Sequence, residues 1–283
     1  MSWFIGGLIF LILGYFIYGR FVERILRPDD RPTPALAQAD GVDYVPLPKW
    51  KNMLIQLLNI AGVGPVIGVI AGIKFGKVAL LIIPVGCVFM GAVHDFVSGF
   101  ISLRMKGANL PTIVATLLGK VYAAVFSVAL IFLLILMVAV FINIPASLID
   151  RTVFPSVPLF TAMAVAIFVY YIVATLFPVD KIIGAIYPYF GGLLIVGSLA
   201  MCVALVVVGV QSPELLQESP AFLKYRAEVF DAGGRSPLFP LLFVTIACGI
   251  ISGFHATQSP IVARTMRSER EARTTYYGMM IAE

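Results

Sequence analysis

Residues 121–143 form an apolar stretch without a single Asp, Glu, Lys or Arg. About 20 such residues in helical form reach across the hydrocarbon of a bilayer. Similar stretches at 2–19, 52–73, 77–103, 159–177, 182–209 and 238–263 bring the expected crossings to seven in a chain of 283 residues. Within lipid the main chain must satisfy its own N–H and C=O groups, so each crossing is expected to be helical. Only 12% of residues are charged, about half the share usual in soluble domains, and 60% are hydrophobic. The composition therefore specifies a polytopic membrane protein. A net charge of +5 is no sign of nucleic-acid binding here, because the basic residues lie between apolar runs rather than along one stripe.

The basic residues instead report topology. Arg20, Arg24 and Arg27 follow the first crossing, and nothing basic precedes it, which predicts a retained helix with its amino terminus outside. Alternating sides from there puts fourteen of the twenty Lys and Arg residues inside. The link 20–51 is rich in proline and is expected to be mostly irregular. In 110–118, Leu110, Ile113, Val114, Leu117 and Leu118 share one helical face, with Pro111 in the first turn and Gly119 at the end. That pattern predicts a short helix lying along the membrane surface. The mixed charges of 211–237 read as a solvated loop. Cys87, Cys202 and Cys248 sit in apolar runs without metal-ligand spacing, so neither a disulfide nor a metal site is expected.

Two crossings carry residues that interrupt a helix. In the first, Gly62 and Gly64 precede Pro65; in the second, "GIISGFHATQSP" places Ser252, Gly253, His255, Thr257, Gln258 and Ser259 amid apolar neighbours. Pro65 and Pro260 both suit the first turn of a restarted helix, Gly253 suits the end of a preceding half, and Ser259 suits the cap of a following one. Five crossings separate the two breaks, so the broken helices enter from opposite sides. This is the arithmetic of an inverted repeat of five helices. The expected fold is an all-α helical bundle of the five-plus-five transporter type with two discontinuous helices. It has one transmembrane domain over 1–283: an extra helix at 2–19, a first repeat at 52–209 and a truncated second repeat starting at 238–283.

Ionisable groups inside these spans cost a few kcal/mol on insertion scales, so they need partners. His94 and Asp95 lie deep in the third crossing. Asp95 reads either as a hydrogen-bond partner of a nearby broken helix or as a protonation site coupled to a gradient. His255 lies within the second break and is expected to face a cavity. Gln56 and Asn59, just before the first break, are weaker candidates, and Glu283 follows the apolar "MMIA".

The stretches "RPDDRPTPA", "DGVDYVP", "IAGVGPVIG", "GAVHDF", "ACGIISGFHATQSP" and "YYGMMIAE" resemble the carbon starvation protein A (CstA) family, in the same order and over almost the whole chain. The resemblance implies a secondary active transporter of the bacterial inner membrane, taking up peptides or pyruvate with protons as the coupling ion during carbon starvation. It implies substrate or coupling roles for Gly62, Gly64, Pro65, His94, Asp95, Ser252, Gly253, His255, Thr257, Gln258, Ser259 and Glu283. Membrane lipid, a small-molecule substrate and protons are the expected partners, with no cofactor and no nucleic acid. Family chains continue well past residue 283, which implies a second repeat cut short. A starvation sensor or non-transporting subunit is the alternative. A membrane enzyme ranks lower, because no HExxH, GxSxG or Cys/His ligand set is present.

Overall fold

A computed structural model describes residues 2–61, 77–152, 159–176, 179–212, 247 and 254–283, and every regular element among them is helical. Helix α1 comprises Ser2–Leu13, a π-helical stretch Gly14–Tyr18 and Gly19–Leu26. It therefore runs past the expected end at residue 19. Val22 on its last turns is buried in the core, so packing extends the helix until Arg27 turns left-handed, at φ 49°, before Pro28. The rest of the link to residue 48 is irregular apart from one turn, α2 (Pro34–Ala37).

Helix α3 (Lys49–Ile60) ends where the first break is expected, with Ala61 outside helical geometry. Gly62, Gly64 and Pro65 lie outside the described residues. Helix α4 joins Lys77–Gly86, a π-helical stretch Cys87–Gly91 and Ala92–Arg104. Helix α5 (Leu110–Leu118) forms as the periodicity predicts and is closed by Gly119 at φ +93°. Then come α6 (Lys120–Thr152), α7 (Phe160–Leu176), α8 (Val179–Gln211), α9 (Phe254–Ala263), a 3₁₀ turn (Glu269–Glu271) and α10, made of the π-helical Arg273–Gly278 and Met279–Ala282. Four stretches, Trp3–Leu26, Leu80–Arg104, Lys120–Thr152 and Gly191–Gln211, are long and apolar enough to cross a membrane. Together with the family relationship below, they make this a membrane protein. The most apolar windows of the last two have no buried residue, as expected of surface facing lipid tails.

Two compact units are present. Residues 114–190 form one, in which α6 packs on α7 and Asp150 Oδ1 accepts from the amides of Leu159 and Phe160 at 2.8 and 3.0 Å, capping α7. The other, residues 1–113 and 191–283, holds the site. Its core gathers Phe96 and Phe100 of α4, Val262 of α9, and Tyr276, Tyr277 and Met280 of α10.

Close approach explains several glycines here. A Cβ on Gly99 would lie 2.4 Å from the Tyr276 ring, and one on Gly14 would lie 2.4 Å from Val88 Cγ2. The π-helical stretches of α1 and α4 thus meet directly, and the hydroxyl of Tyr277, on a third such stretch, points at Val88 O (3.0 Å) and Gly14 O (3.4 Å). π-Helical turns leave carbonyls without their usual helical donors, and this hydroxyl supplies one.

Candidate functional site

The site is built on the middle of α4. Asp95 is completely buried, and a carboxylate in that position must be surrounded by donors. Its Oδ1 meets His255 Nδ1 at 2.7 Å and His94 Nδ1 at 3.2 Å, and its Oδ2 accepts from Gln56 Nε2 at 3.1 Å. Three helices therefore converge on one carboxylate: α3 through Gln56, α4 through His94 and α9 through His255. An ionised carboxylate only accepts, so this geometry places a hydrogen on Nδ1 of each imidazole.

With Nδ1 committed, the other nitrogen of His255 is left over. The residue is 1% exposed, and its Nε2 has no hydrogen-bond partner among the described residues; it faces Glu283 Oε2 at 3.8 Å. Both Glu283 carboxylate oxygens, Gln56 Oε1 and Gln258 Nε2 are likewise buried without partners. Unsatisfied buried polar atoms cost about 1–3 kcal/mol each and ordinarily mark a functional role or a place for a missing ligand or water. Here His255 Nε2 and Glu283 Oε2 lie together, and Gln56 Oε1 belongs to the amide that donates to Asp95 beside them.

Helix α9 differs from expectation. Ser259 does not cap a restarted helix, and Pro260 is not its first residue: both lie within Phe254–Ala263. Ser259 Oγ bonds back to His255 O at 2.9 Å and meets Ser98 Oγ of α4 at 3.1 Å, so its hydroxyl serves helix continuity and packing instead of an end. Tyr276 OH donates to Ser259 O at 3.1 Å, holding α10 against α9 near the proline. Ser252 and Gly253 lie outside the described residues, and Thr257 is half-buried with a partner.

Of the site residues expected from sequence, the structure brings together His94, Asp95, His255, Ser259 and Glu283, and it buries Gln258 one turn after His255 on α9. Gln56, one of the weaker candidates, is a direct partner of Asp95, and the structure adds Ser98 and Tyr276, which meet Ser259. Ser98 was legible as a small polar residue three positions after Asp95, on the same face of an apolar helix. Among the described residues, no group of three or more His, Cys, Asp and Glu could hold a metal ion.

A second polar cluster ties the loops at one end of this unit. Glu269 is buried and accepts from Arg104 Nη2 at 3.0 Å and Nε at 3.3 Å and from the amide of Asp29 at 3.2 Å. Arg104 also donates to Arg27 O at 2.8 Å, and its guanidinium lies 4.4 Å from the centre of the Phe100 ring. Arg270 pairs with Asp30, and Arg273 with Glu23 at 2.8 Å. Hydrogen bonds from Arg31 hold the Asp29 carboxyl well below the usual carboxylate range. Three loops that the charge count assigns to one side of the membrane, namely 27–48, 104–109 and 264–273, are thus in mutual contact. Sequence reading passed over Glu269, whose only signal was an acid inside a run of arginines.

Known proteins resemble this chain along its whole length. A model of the family "Carbon starvation protein CstA" matches residues 1–164 and 159–283. An uncharacterized membrane protein of Haemophilus influenzae is 41% identical over 100% of this chain and 87% of its own length. The peptide transporter CstA of Campylobacter jejuni is 31% identical over 96% of this chain and 46% of its own length, and the pyruvate/proton symporter BtsT of Escherichia coli is 28% identical over 96% and 46%. The chain thus spans most of the Haemophilus protein but about half the length of those two transporters. No solved structure matches. With both matched stretches of the family model together covering residues 1–283, the chain belongs to the carbon starvation protein CstA family, two of whose members are the peptide transporter and the pyruvate/proton symporter named above.

Proposed function

We propose that this chain forms the substrate and coupling site of a proton-coupled carrier in the bacterial inner membrane, taking up small carboxylates such as peptides or pyruvate during carbon starvation. The observation that carries this reading is the buried cluster of Asp95, His255 and Glu283, in which His255 Nε2 and both Glu283 oxygens have no hydrogen-bond partner among the described residues. In a membrane span, ionisable groups held off the lipid and left partly unsatisfied mark a path for substrate or proton.

Two interrupted crossings, at Gly62, Gly64 and Pro65 and at Ser252 and Gly253, frame this site from opposite sides of a five-plus-five inverted repeat whose second half begins at residue 238. The end of α3 at Ile60 supports the first interruption. The contacts among the arginine-bearing loops support one shared inner face, and hence an amino terminus outside. Lipid contacts the long bare flanks of α6 and of 191–211.

The test is uptake of labelled pyruvate and, separately, a labelled dipeptide into proteoliposomes with and without an inward proton gradient. The expected result is gradient-dependent accumulation of one of them. Binding of either compound without accumulation under any gradient would make the protein a sensor and overturn the carrier reading.

A further inference from the structure

The buried cluster is asymmetric, and the asymmetry divides the labour. Asp95 has every oxygen engaged: Oδ1 by two imidazoles and Oδ2 by Gln56. A proton arriving at Asp95 would have to displace one of these donors. His255 Nε2 and the two Glu283 oxygens, by contrast, are buried and without hydrogen bonds among the described residues, and Nε2 lies 3.8 Å from Oε2. One turn along α9, the buried amide nitrogen of Gln258 is also without a partner. The open acid–base pair is therefore His255 with Glu283, and the open donors beside it belong to α9.

Resting on the carrier reading above, we propose that the coupling proton is held between His255 Nε2 and the Glu283 carboxylate, and that its arrival permits a substrate carboxylate to bind at the Gln258 amide. Asp95 is a positioning residue that fixes the imidazole through Nδ1. Charge supplies the coupling. Without the added proton, Glu283 is an anion beside the donors and repels a second carboxylate in a medium that screens it poorly. With the proton shared between Nε2 and Glu283, the pair carries no net negative charge, that repulsion is removed, and the Gln258 amide can donate to the substrate. The proton enters from one aqueous side and leaves from the other, with no change in any covalent bond beyond N–H and O–H.

Among the described residues, the groups that face this pair are few. Helix α4 presents Asp95, His94 and, on its π-helical stretch, Cys87; α10 presents Tyr276, which lies close to Asp95; α9 presents His255 itself. Helix α3 presents only the Gln56 amide, since Lys49 and Lys51 lie at its other end, Lys49 near Glu271. None of these provides a cation that could neutralise Glu283 in place of the proton.

The experiment uses the full chain in proteoliposomes and compares two readings of labelled pyruvate: accumulation driven by a proton gradient, and exchange at equal concentrations on both sides. In Glu283→Gln, accumulation above the outside concentration is lost, and whatever exchange remains is flat with pH. In Glu283→Asp, accumulation returns with a displaced pH profile. In Asp95→Asn, transport falls but the residual exchange keeps the wild-type dependence on pH. A Glu283→Gln protein that accumulates pyruvate as the wild type does, or an Asp95→Asn protein that alone loses its pH dependence, overturns the assignment. A measurement on unaltered protein stands beside these: adding pyruvate to weakly buffered, detergent-solubilised protein draws protons from solution, and binding without proton uptake refutes the proposal. Wild-type protein that neither binds nor moves pyruvate contradicts the carrier reading itself for that substrate, a distinguishable outcome.

Discussion

Asp95 could be singled out in the sequence because a carboxylate surrounded by apolar residues must be either paired or functional. What it pairs with could not be read there. Gln56 is 39 positions away and His255 is 160 positions away, and no local periodicity links positions so far apart. Gly99 carries a similar lesson, for it looks like an ordinary membrane-helix glycine until Tyr276 is found against it. Gly99→Ala would drive a methyl group to within 2.4 Å of that buried ring, and overpacking of this kind costs about 1–3 kcal/mol. Thermal unfolding in detergent should show a clear fall in Tm, partly restored when Tyr276→Ala opens the space. An unchanged Tm would mean that α4 and α10 are not packed as described. Asp40 gives a prediction in pH. Its Oδ1 accepts from the amides of Tyr44, Val42 and Asp43, which holds its carboxyl below the ordinary carboxylate value. A depressed folded value means that this turn is fully stabilised above the ordinary Asp pKa and loses its stabilisation as pH falls through the depressed one. Hydrogen exchange at those three amides should accelerate in Asp40→Ala, with Asp40→Asn intermediate; equal protection in all three proteins would remove the role.

At the scale of elements, helix positions were legible where periodicity or apolar length was unambiguous, as in α5 and α8. The limits shifted where tertiary contacts took over. Helix α1 continued to Leu26 because Val22 had a core to enter, and α6 ran on to Thr152 through Pro145. The signals at Ser259 and Pro260 were misread because a serine hydroxyl can bond to the carbonyl four residues back as readily as it can cap, and only the neighbouring helix decides. The π-helical stretches in α1, α4 and α10 had no sequence mark that was recognised. Their junction yields a test: Tyr277→Phe removes the hydroxyl that reaches Gly14 O and Val88 O, and should cost about 1 kcal/mol, the usual net value of one buried hydrogen bond. The Glu269 cluster should matter more. Glu269→Ala leaves Arg104 without its carboxylate, and because Arg104 is 31% exposed the expected loss is about 2–3 kcal/mol, below the roughly 3–5 kcal/mol seen when fully buried pairs are broken. A loss within a few tenths of a kcal/mol would show that this network does not hold the loops together.

At the scale of the whole molecule, a helical membrane protein was evident from the apolar runs, and the family from stretches distributed along the chain. The inverted repeat rests on counting crossings between two interruptions, and both interruptions fall largely among residues outside those described. The match to the Haemophilus protein runs over 329 positions against the 283 of this chain, so that relative carries residues that this chain does not. The central claim does not depend on the repeat. It is that a carboxylate and an imidazole buried together where α3, α4 and α9 meet are the transport site of this chain. The most direct measurement is proton-driven uptake of labelled pyruvate or dipeptide by equal amounts of reconstituted wild-type, His255→Ala and Asp95→Asn protein, each checked for a monodisperse elution profile. The account predicts uptake by the wild type, none by His255→Ala and at most a small residue by Asp95→Asn. Wild-type rates in both variants would contradict it.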